Sequence, residues 1–352
     1  MKTAKTINLA GREVGEGRPV YVICEGGVTN YGKLALAKKQ TDAAREARAD
    51  IVKFQVWKTE NLISKRVAKK LEGELGYDWF SRVKYKEISF DKFKELEKYV
   101  NSAGMGFFAT AHEDVGLDFL DKDLKQPFFK IGSGEAHNFE FLKNVGQRKK
   151  PVIISFGLQS DKEILKAVDT LRSAGTTEII ALHCTTSYPT LYEKADISRM
   201  SHLKKMLGVP VGISDHTVGW HVPLAAVALG ACVVEKHITF DKNDPRSLDN
   251  PGALLPEEFK TMVSQIRDLE RALKPMKKKD RANFLESSRD WAGQSIVASR
   301  VIMAGSVLKR DMITFKRPAK GGLAPEMAEK IIGKKVRVPI EEDEQILLGH
   351  LE

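Results

Sequence analysis

Two short β-branched runs each close on a histidine: Val211-Gly-Ile-Ser-Asp-His216 and Val233-Val-Glu-Lys-His237. Runs of this kind read as buried parallel strands. Between them, Pro223 to Gly230 reads as a short helix stopped by glycine. A strand–helix–strand unit places both strand ends on one edge of a sheet, so the two imidazoles converge there. Two converging imidazoles suit a divalent cation with coordination positions left open for substrate.

Other strand ends carry compatible chemistry. They offer Glu25, Lys53 with Gln55, Thr110, Lys130 with Ser133, Ser155, Thr185, Ser214 and Glu235. Two lysines and several hydroxyls are equipment for an anion bearing both phosphate and carboxylate. Glu25 remains for proton transfer. Singly, each residue has an ordinary structural use. A strand-end Ser or Thr caps the next helix, and Lys53 can pair with Glu25. Their recurrence at equivalent positions of successive units argues for one site.

The elements that must position these residues follow a regular order. Strands are expected at 21–24, 51–55, 107–109, 128–131, 152–154 and 179–182, then at the two histidine-bearing runs. Helices follow, among them Leu34–Ala47, Phe90–Ala103, Asp114–Asp123, Phe139–Val145, Lys162–Ala174 and Pro256–Leu273; a Gly26-Gly27 turn leads into the first. A hairpin is plausible within residues 1–19, and Trp57 to Glu87 is a charged helical or loop excursion. Eight strand–helix units over roughly 255 residues match an α/β fold of the (β/α)8 barrel type. A doubly wound sheet is the runner-up, but Glu25-Gly-Gly-Val-Thr-Asn-Tyr-Gly is not the dinucleotide-binding pattern. The barrel is assigned to 1–275, a basic linker to 276–290, and a small β-rich domain to 291–352.

Composition narrows the class. The chain has 352 residues, 42% hydrophobic, with a formal net charge of +10. The basic residues fall in local clusters such as Arg148-Lys149-Lys150, without zinc-finger spacing or interleaved aromatics, so nucleic acid is not an expected partner. No apolar run reaches membrane-spanning length, and the N-terminus lacks a signal-peptide core. The cytoplasm is the expected location. Cys24, Cys184 and Cys232 fall in the predicted buried strands and suit reduced core thiols.

The motifs Val52-Lys-Phe-Gln55, Phe129-Lys-Ile-Gly-Ser-Gly-Glu135, His183-Cys-Thr-Thr-Ser-Tyr-Pro-Thr190, Gly212-Ile-Ser-Asp-His216 and Glu235-Lys-His-Ile-Thr239 resemble those of the sialic acid (N-acetylneuraminate) synthase family. Residues 291–352 resemble its antifreeze-like (SAF) domain, with Phe315-Lys-Arg-Pro318 as the arginine-bearing strand. The resemblance implies condensation of phosphoenolpyruvate with an N-acylated hexosamine, giving a nonulosonic acid and phosphate. It implies that His216 and His237 bind Mn2+ or Mg2+. Lys53, Thr110, Lys130, Ser133, Ser155 and Ser214 would hold phosphoenolpyruvate. Gln55, Tyr188 and Asp249 would line the sugar pocket, and Glu25 would be the acid/base. Arg317 would reach the sugar's N-acyl group from the partner subunit of a domain-swapped homodimer.

The departures from that pattern fall mainly on the sugar side. The family's Asn-His pair reads Thr29-Asn30, its Thr-Pro-Phe reads Thr110-Ala-His112, and its Ser-Thr-Gly-Met reads Ser155-Phe-Gly-Leu158. The loop after His237 lacks the usual Gly-Pro-Asp or Gly-Ser-Asp, which makes Asp249 a substitute. An acceptor other than plain N-acetylmannosamine is expected, such as a 2,4-diacylamino-trideoxyhexose. Two alternatives stay open: a Schiff-base aldolase with Lys130 or Lys53 as nucleophile, and a non-catalytic carbohydrate-binding relative.

Overall fold

The computed structural model describes residues 6–352; the start of the expected hairpin region lies outside them. The chain divides into two compact units between Leu273 and Lys274. The first opens with an antiparallel hairpin, β1 (Thr6–Leu9) and β2 (Arg12–Gly15), turned through Ala10 and Gly11 at positive φ.

Eight parallel strands then close into a barrel. They are β3 (Tyr21–Gly27), β4 (Ile51–Val56), β5 (Gly106–Ala111), β6 (Phe129–Ile131), β7 (Val152–Phe156), β8 (Ile179–Cys184), β9 (Val211–Asp215) and β10 (Val233–His237). Neighbours in sequence are neighbours in space, and β10 pairs with β3 to complete the ring. The strand after the hairpin outruns its expected end, so the turn comes after Gly27, beyond a register shift between Glu25 and Gly27.

Alternation along each strand sorts the residues into two populations. One set, including Val22, Val52, Phe54, Ala109, Phe129, Ile154 and Val234, packs outward under the helices. The other set includes Tyr21, Ile23, Ile51, Phe108, Phe128, Ile153, Ile180 and Val233. These fill the barrel interior together with Ile7, Leu9 and Val14 of the hairpin, which plugs the end where the strands begin. The interior is therefore packed with apolar side chains below and is polar only towards the strands' C-terminal ends.

The surrounding helices are α1 (Leu34–Glu46), α5 (Phe90–Ser102), α6 (Asp114–Asp118, prolonged as a π-turn to Asp123), α7 (Phe139–Gln147), α8 (Asp161–Ala174), α9 (Arg199–Leu207), α10 (His221–Ala228) and α11 (Pro256–Ala272). Their starts carry the expected chemistry: Ser89 and Asn138 cap α5 and α7, and Ser160 with Glu163 forms a reciprocal cap on α8. The excursion after β4 contains three short helices, α2 (Thr59–Leu62), α3 (Lys65–Leu75) and α4 (Trp79–Lys84). No helix among the described residues is long and apolar enough to cross a membrane.

The second unit begins with α12 (Lys278–Ala292), which has no buried residue and occupies the segment read from the sequence as a linker. Its core is Ile296, Ala298, Ile302, Leu308, Ile313, Ile331, Val336, Ile340 and Ile346 with their neighbours. The strands are short: β11 (Ser295–Ala298) pairs antiparallel with β12 (Ile313–Lys316), and isolated bridges such as Ile302–Ile340 continue the β structure. A last short helix, α13 (Ala328–Ile331), packs on this core.

Candidate active site

The same alternation that packs the barrel floor carries the polar strand ends into its mouth. Glu25 follows Ile23 on the interior face, Lys53 and Gln55 follow Ile51, Thr110 follows Phe108, Lys130 follows Phe128, and Ser155 follows Ile153. The residues expected to act on substrate, metal or proton in the first unit all line one pocket of about 340 Å³: Glu25, Lys53, Gln55, Thr110, Lys130, Ser133, Ser155, Tyr188, Ser214, His216, His237 and Asp249; Thr185, also offered as a strand end, is not in its lining and meets His216 through its carbonyl instead. Arg317 belongs to the second unit, where it is exposed just beyond β12.

At the base of the pocket lies a layer of alternating charge. Lys53 Nζ is 2.7 Å from Glu25 Oε2 and 3.6 Å from Glu235 Oε2, and it donates to Thr110 Oγ1 at 3.0 Å. Lys130 Nζ donates to Ser155 Oγ at 2.8 Å and lies 3.6 Å from Glu235 Oε1. Ser214 Oγ donates to that same Glu235 oxygen at 2.9 Å. Burial opposes the charge on Lys53, but Glu235 and Glu25 outweigh it and hold its pKa above the ordinary lysine value. Lys130 has Glu235 alone within ion-pair reach, so burial prevails and draws it down. Burial also opposes ionisation of Glu235, yet Lys130 and Lys53 override it and bring its carboxyl to about 2.

The pocket is polar but not self-satisfied. Among the described residues, Glu25 Oε2, Ser133 Oγ, Glu135 Oε2, Glu235 Oε2 and His237 Nδ1 are buried without a hydrogen-bond partner, and all five residues line it. Lys53 meets two of these oxygens as an ion-pair partner without giving either a well-directed hydrogen bond. Orphaned buried groups are scarce in folded proteins, so their gathering in one cavity marks a place prepared for a ligand.

The two imidazoles stand with ring centroids 5.3 Å apart and planes inclined at 54°. His216 Nδ1 lies 2.9 Å from the Thr185 carbonyl, which fixes the ring and leaves Nε2 as the available donor atom. Burial works against charge on His216, but Cys184, with Sγ 3.8 Å from Nδ1, lifts its pKa to about 9. His216 in turn draws the Cys184 thiol down against the effect of burial. Burial keeps His237 below the ordinary histidine value, with Asp249 Oδ2 at 3.6 Å from Nδ1 offsetting only part. Tyr188 covers the pair, tilted over His216 at 4.2 Å and edge-on to His237 at 6.0 Å. No third His, Cys, Asp or Glu among the described residues completes a ligand cluster with them. The set offers two nitrogen donors and open positions, which fits a divalent cation.

Behind these rings is a second, outward-facing ion pair. Lys236 Nζ lies 2.5 Å from Asp215 Oδ2 and donates to the Thr217 carbonyl. Lys236 is fully buried. The pair ties the ends of β9 and β10 together, one residue from each histidine. Gly27 completes the cradle: its φ is +49°, and a Cβ there would lie 3.0 Å from His237 Nδ1.

Several residues of the site escape a reading of strand ends alone. Cys184, expected in the core, lines the pocket, because Leu182 two places earlier points inward. Cys232 is a buried free thiol but lies just ahead of β10 rather than within it. Glu235, already among the strand-end residues, shares the parity of His237 and enters the mouth with it. Tyr77, Trp79, Arg82 and Lys86 reach the pocket from the excursion after β4, and no local pattern announces that. Thr29 and Asn30 brace the turn instead: Thr29 Oγ1 donates to the Gly26 and Ile238 carbonyls, and Asn30 Nδ2 to the Gly27 carbonyl.

Comparison with known proteins places this architecture. Residues 41–278 match the model of the NeuB family, and residues 293–352 match the SAF domain. A Methanocaldococcus jannaschii protein is 38% identical over 346 residues, covering 97% of each chain. The N,N'-diacetyllegionaminic acid synthase of Legionella pneumophila is 34% identical, covering 96% of each. The crystal structure of an N-acetylneuraminic acid synthetase from Leptospira borgpetersenii superposes with a TM-score of 0.71 at 29% identity, covering 81% of this chain and 98% of that one. The chain belongs to the NeuB family and ends in a SAF domain.

Proposed function

We propose that this enzyme condenses phosphoenolpyruvate with an N-acylated hexosamine to give a nonulosonic acid and inorganic phosphate. The observation that carries this reading is the juxtaposition of two buried lysines, a fan of hydroxyls and two convergent imidazoles in one pocket. Lys53 and Lys130, with Thr110, Ser133, Ser155 and Ser214, hold the carboxylate and phosphate of phosphoenolpyruvate. Gln55, Tyr188 and Asp249 line the acceptor's place beside them. Glu25, 2.7 Å from both Lys53 and the Gln55 amide, moves the proton.

Carbon 3 of the enol phosphate forms the new bond to the acceptor's aldehyde carbon, whose oxygen takes up a proton. Water adds at carbon 2 and loses a proton, and the phosphate then leaves from the tetrahedral centre with its C–O electron pair. The lysines and hydroxyls meet the charge that develops on the phosphate. His216 and His237 would hold Mn2+ or Mg2+. Such an ion would supply Lewis-acid polarisation of the aldehyde.

The acceptor is a modified hexosamine, with a 2,4-diacylamino-trideoxyhexose the leading candidate. Arg317 acts on its N-acyl group from the partner subunit of a domain-swapped homodimer, and the reaction belongs to the cytoplasm. A phosphate-release screen across amino sugars, with manganese and with EDTA, tests this. Chelator-sensitive release favouring diacylamino sugars is expected. Equal turnover of N-acetylmannosamine would sink the acceptor assignment. A borohydride-trapped pyruvate adduct on Lys53 or Lys130, insensitive to chelator, would replace the whole scheme by a Schiff-base aldolase.

A further inference from the structure

Four side chains form one hydrogen-bonded line across the barrel mouth. Gln55 Nε2 donates to Glu25 Oε1 at 2.7 Å, Gln55 Oε1 meets His112 Nε2 at 3.2 Å, and His112 Nδ1 lies 3.0 Å from Glu135 Oε1. His112 and Glu135 are mostly buried, with side chains 18% and 13% exposed. The Trp57 ring, itself fixed by Nε1 donating to Thr59 Oγ1, stands edge-on to the imidazole at 6.0 Å.

The direction of every proton in this line follows from its ends. A carboxylate only accepts, so Gln55 must turn its NH2 to Glu25. That leaves Oε1 facing His112, whose Nε2 must therefore donate. The remaining ring nitrogen then shares a proton with Glu135. Burial alone would raise the Glu135 carboxyl, but His112 outweighs it and brings it below the ordinary glutamate value. Both ring nitrogens of His112 thus face acceptors, the Gln55 amide oxygen at 3.2 Å and the Glu135 carboxylate at 3.0 Å. If the ring were neutral with Nε2 unprotonated, the Gln55 amide would be free to present its oxygen to Glu25 and push that carboxylate off its station.

We propose that His112 is a positioning residue: paired with Glu135, it locks the Gln55 amide so that Glu25 is held in one orientation beside Lys53. This rests on the role given to Glu25 above. The family pattern's Thr-Pro-Phe reads Thr110-Ala-His112 here, and a phenyl ring cannot donate.

The test combines a spectroscopic and a kinetic arm. In protein with 15N-labelled histidine, the ring assigned to His112 by its loss in H112F and H112N should show Nε2 protonated at pH 7. A ring with Nε2 unprotonated would overturn the proposal whatever the activity. In the kinetic arm, H112F should lower kcat about 10- to 100-fold, the usual cost of losing a partner that orients a site residue. The KM for phosphoenolpyruvate should move by less than about twofold. In a Q55A background, the same replacement should cost no more than about twofold further, because its effect passes through Gln55. Equal losses in both backgrounds would show a merely structural role. Absence of turnover by the wild type with every acceptor would count against the reaction proposed above, and the ring signals would still decide the state of His112.

Discussion

Glu25 has a lysine 2.7 Å from one oxygen and an amide 2.7 Å from the other. The E25Q variant should therefore lose turnover while keeping phosphoenolpyruvate affinity, read by calorimetry against phosphate release; retained turnover would remove it from the proton path. Glu235 makes a different prediction. Its carboxyl is held at about 2 against an ordinary 4.5. A depressed carboxylate contributes stability that is fully present above the unfolded value and is lost as the pH falls towards the folded one. The stability gap between wild type and E235Q, from urea unfolding, should thus be widest above pH 4.5 and narrow on acidification. A gap independent of pH would show that the two lysines do not depend on this carboxylate.

At the scale of elements, β9 and β10 must hold two rings at a fixed separation. The buried Lys236–Asp215 pair is the brace available for that task. Removing one partner strands the other in an apolar wall, so K236M or D215N should each cost about 3–5 kcal/mol of unfolding free energy. The double variant should cost less than the sum of the two, and strict additivity would show that the pair is not coupled. The pocket's rim depends on a different pair of elements. Arg82 Nη2 donates to the Pro245 carbonyl at 2.8 Å, and the Arg246 guanidinium lies 4.1 Å over the Tyr31 ring. The loop after β10 thus meets the excursion after β4 through Arg82 and the turn after β3 through Tyr31.

For the whole molecule, the test falls on Arg317, exposed on the second unit. If it completes a partner's pocket, R317A and E25Q subunits, each nearly inactive alone, should recover activity when dissociated and reassembled together. About a quarter of the wild-type rate is expected from random pairing, because half of the dimers are mixed and each then holds one intact site of two. No recovery in a verified mixed dimer would place Arg317 in its own subunit's chemistry or outside the site.

The sequence by itself determined the barrel, because eight apolar runs at regular spacing allow few other topologies, and strand parity alone then aims Lys53, Thr110, Lys130, Ser155, Ser214, His216 and His237 inward. It also carried the small β-rich second unit, though not the helix α12, whose residues bury nothing and so leave no apolar stripe to read. What only the tertiary structure decided is who meets whom. Closing the ring sets β10 against β3, which puts Glu235 between Lys53 of β4 and Lys130 of β6. It also brings His112 between Gln55 and Glu135, and the excursion's aromatic and basic residues over the mouth. Such partners lie tens to hundreds of residues apart, and local periodicity records which face a residue occupies but not what stands opposite it.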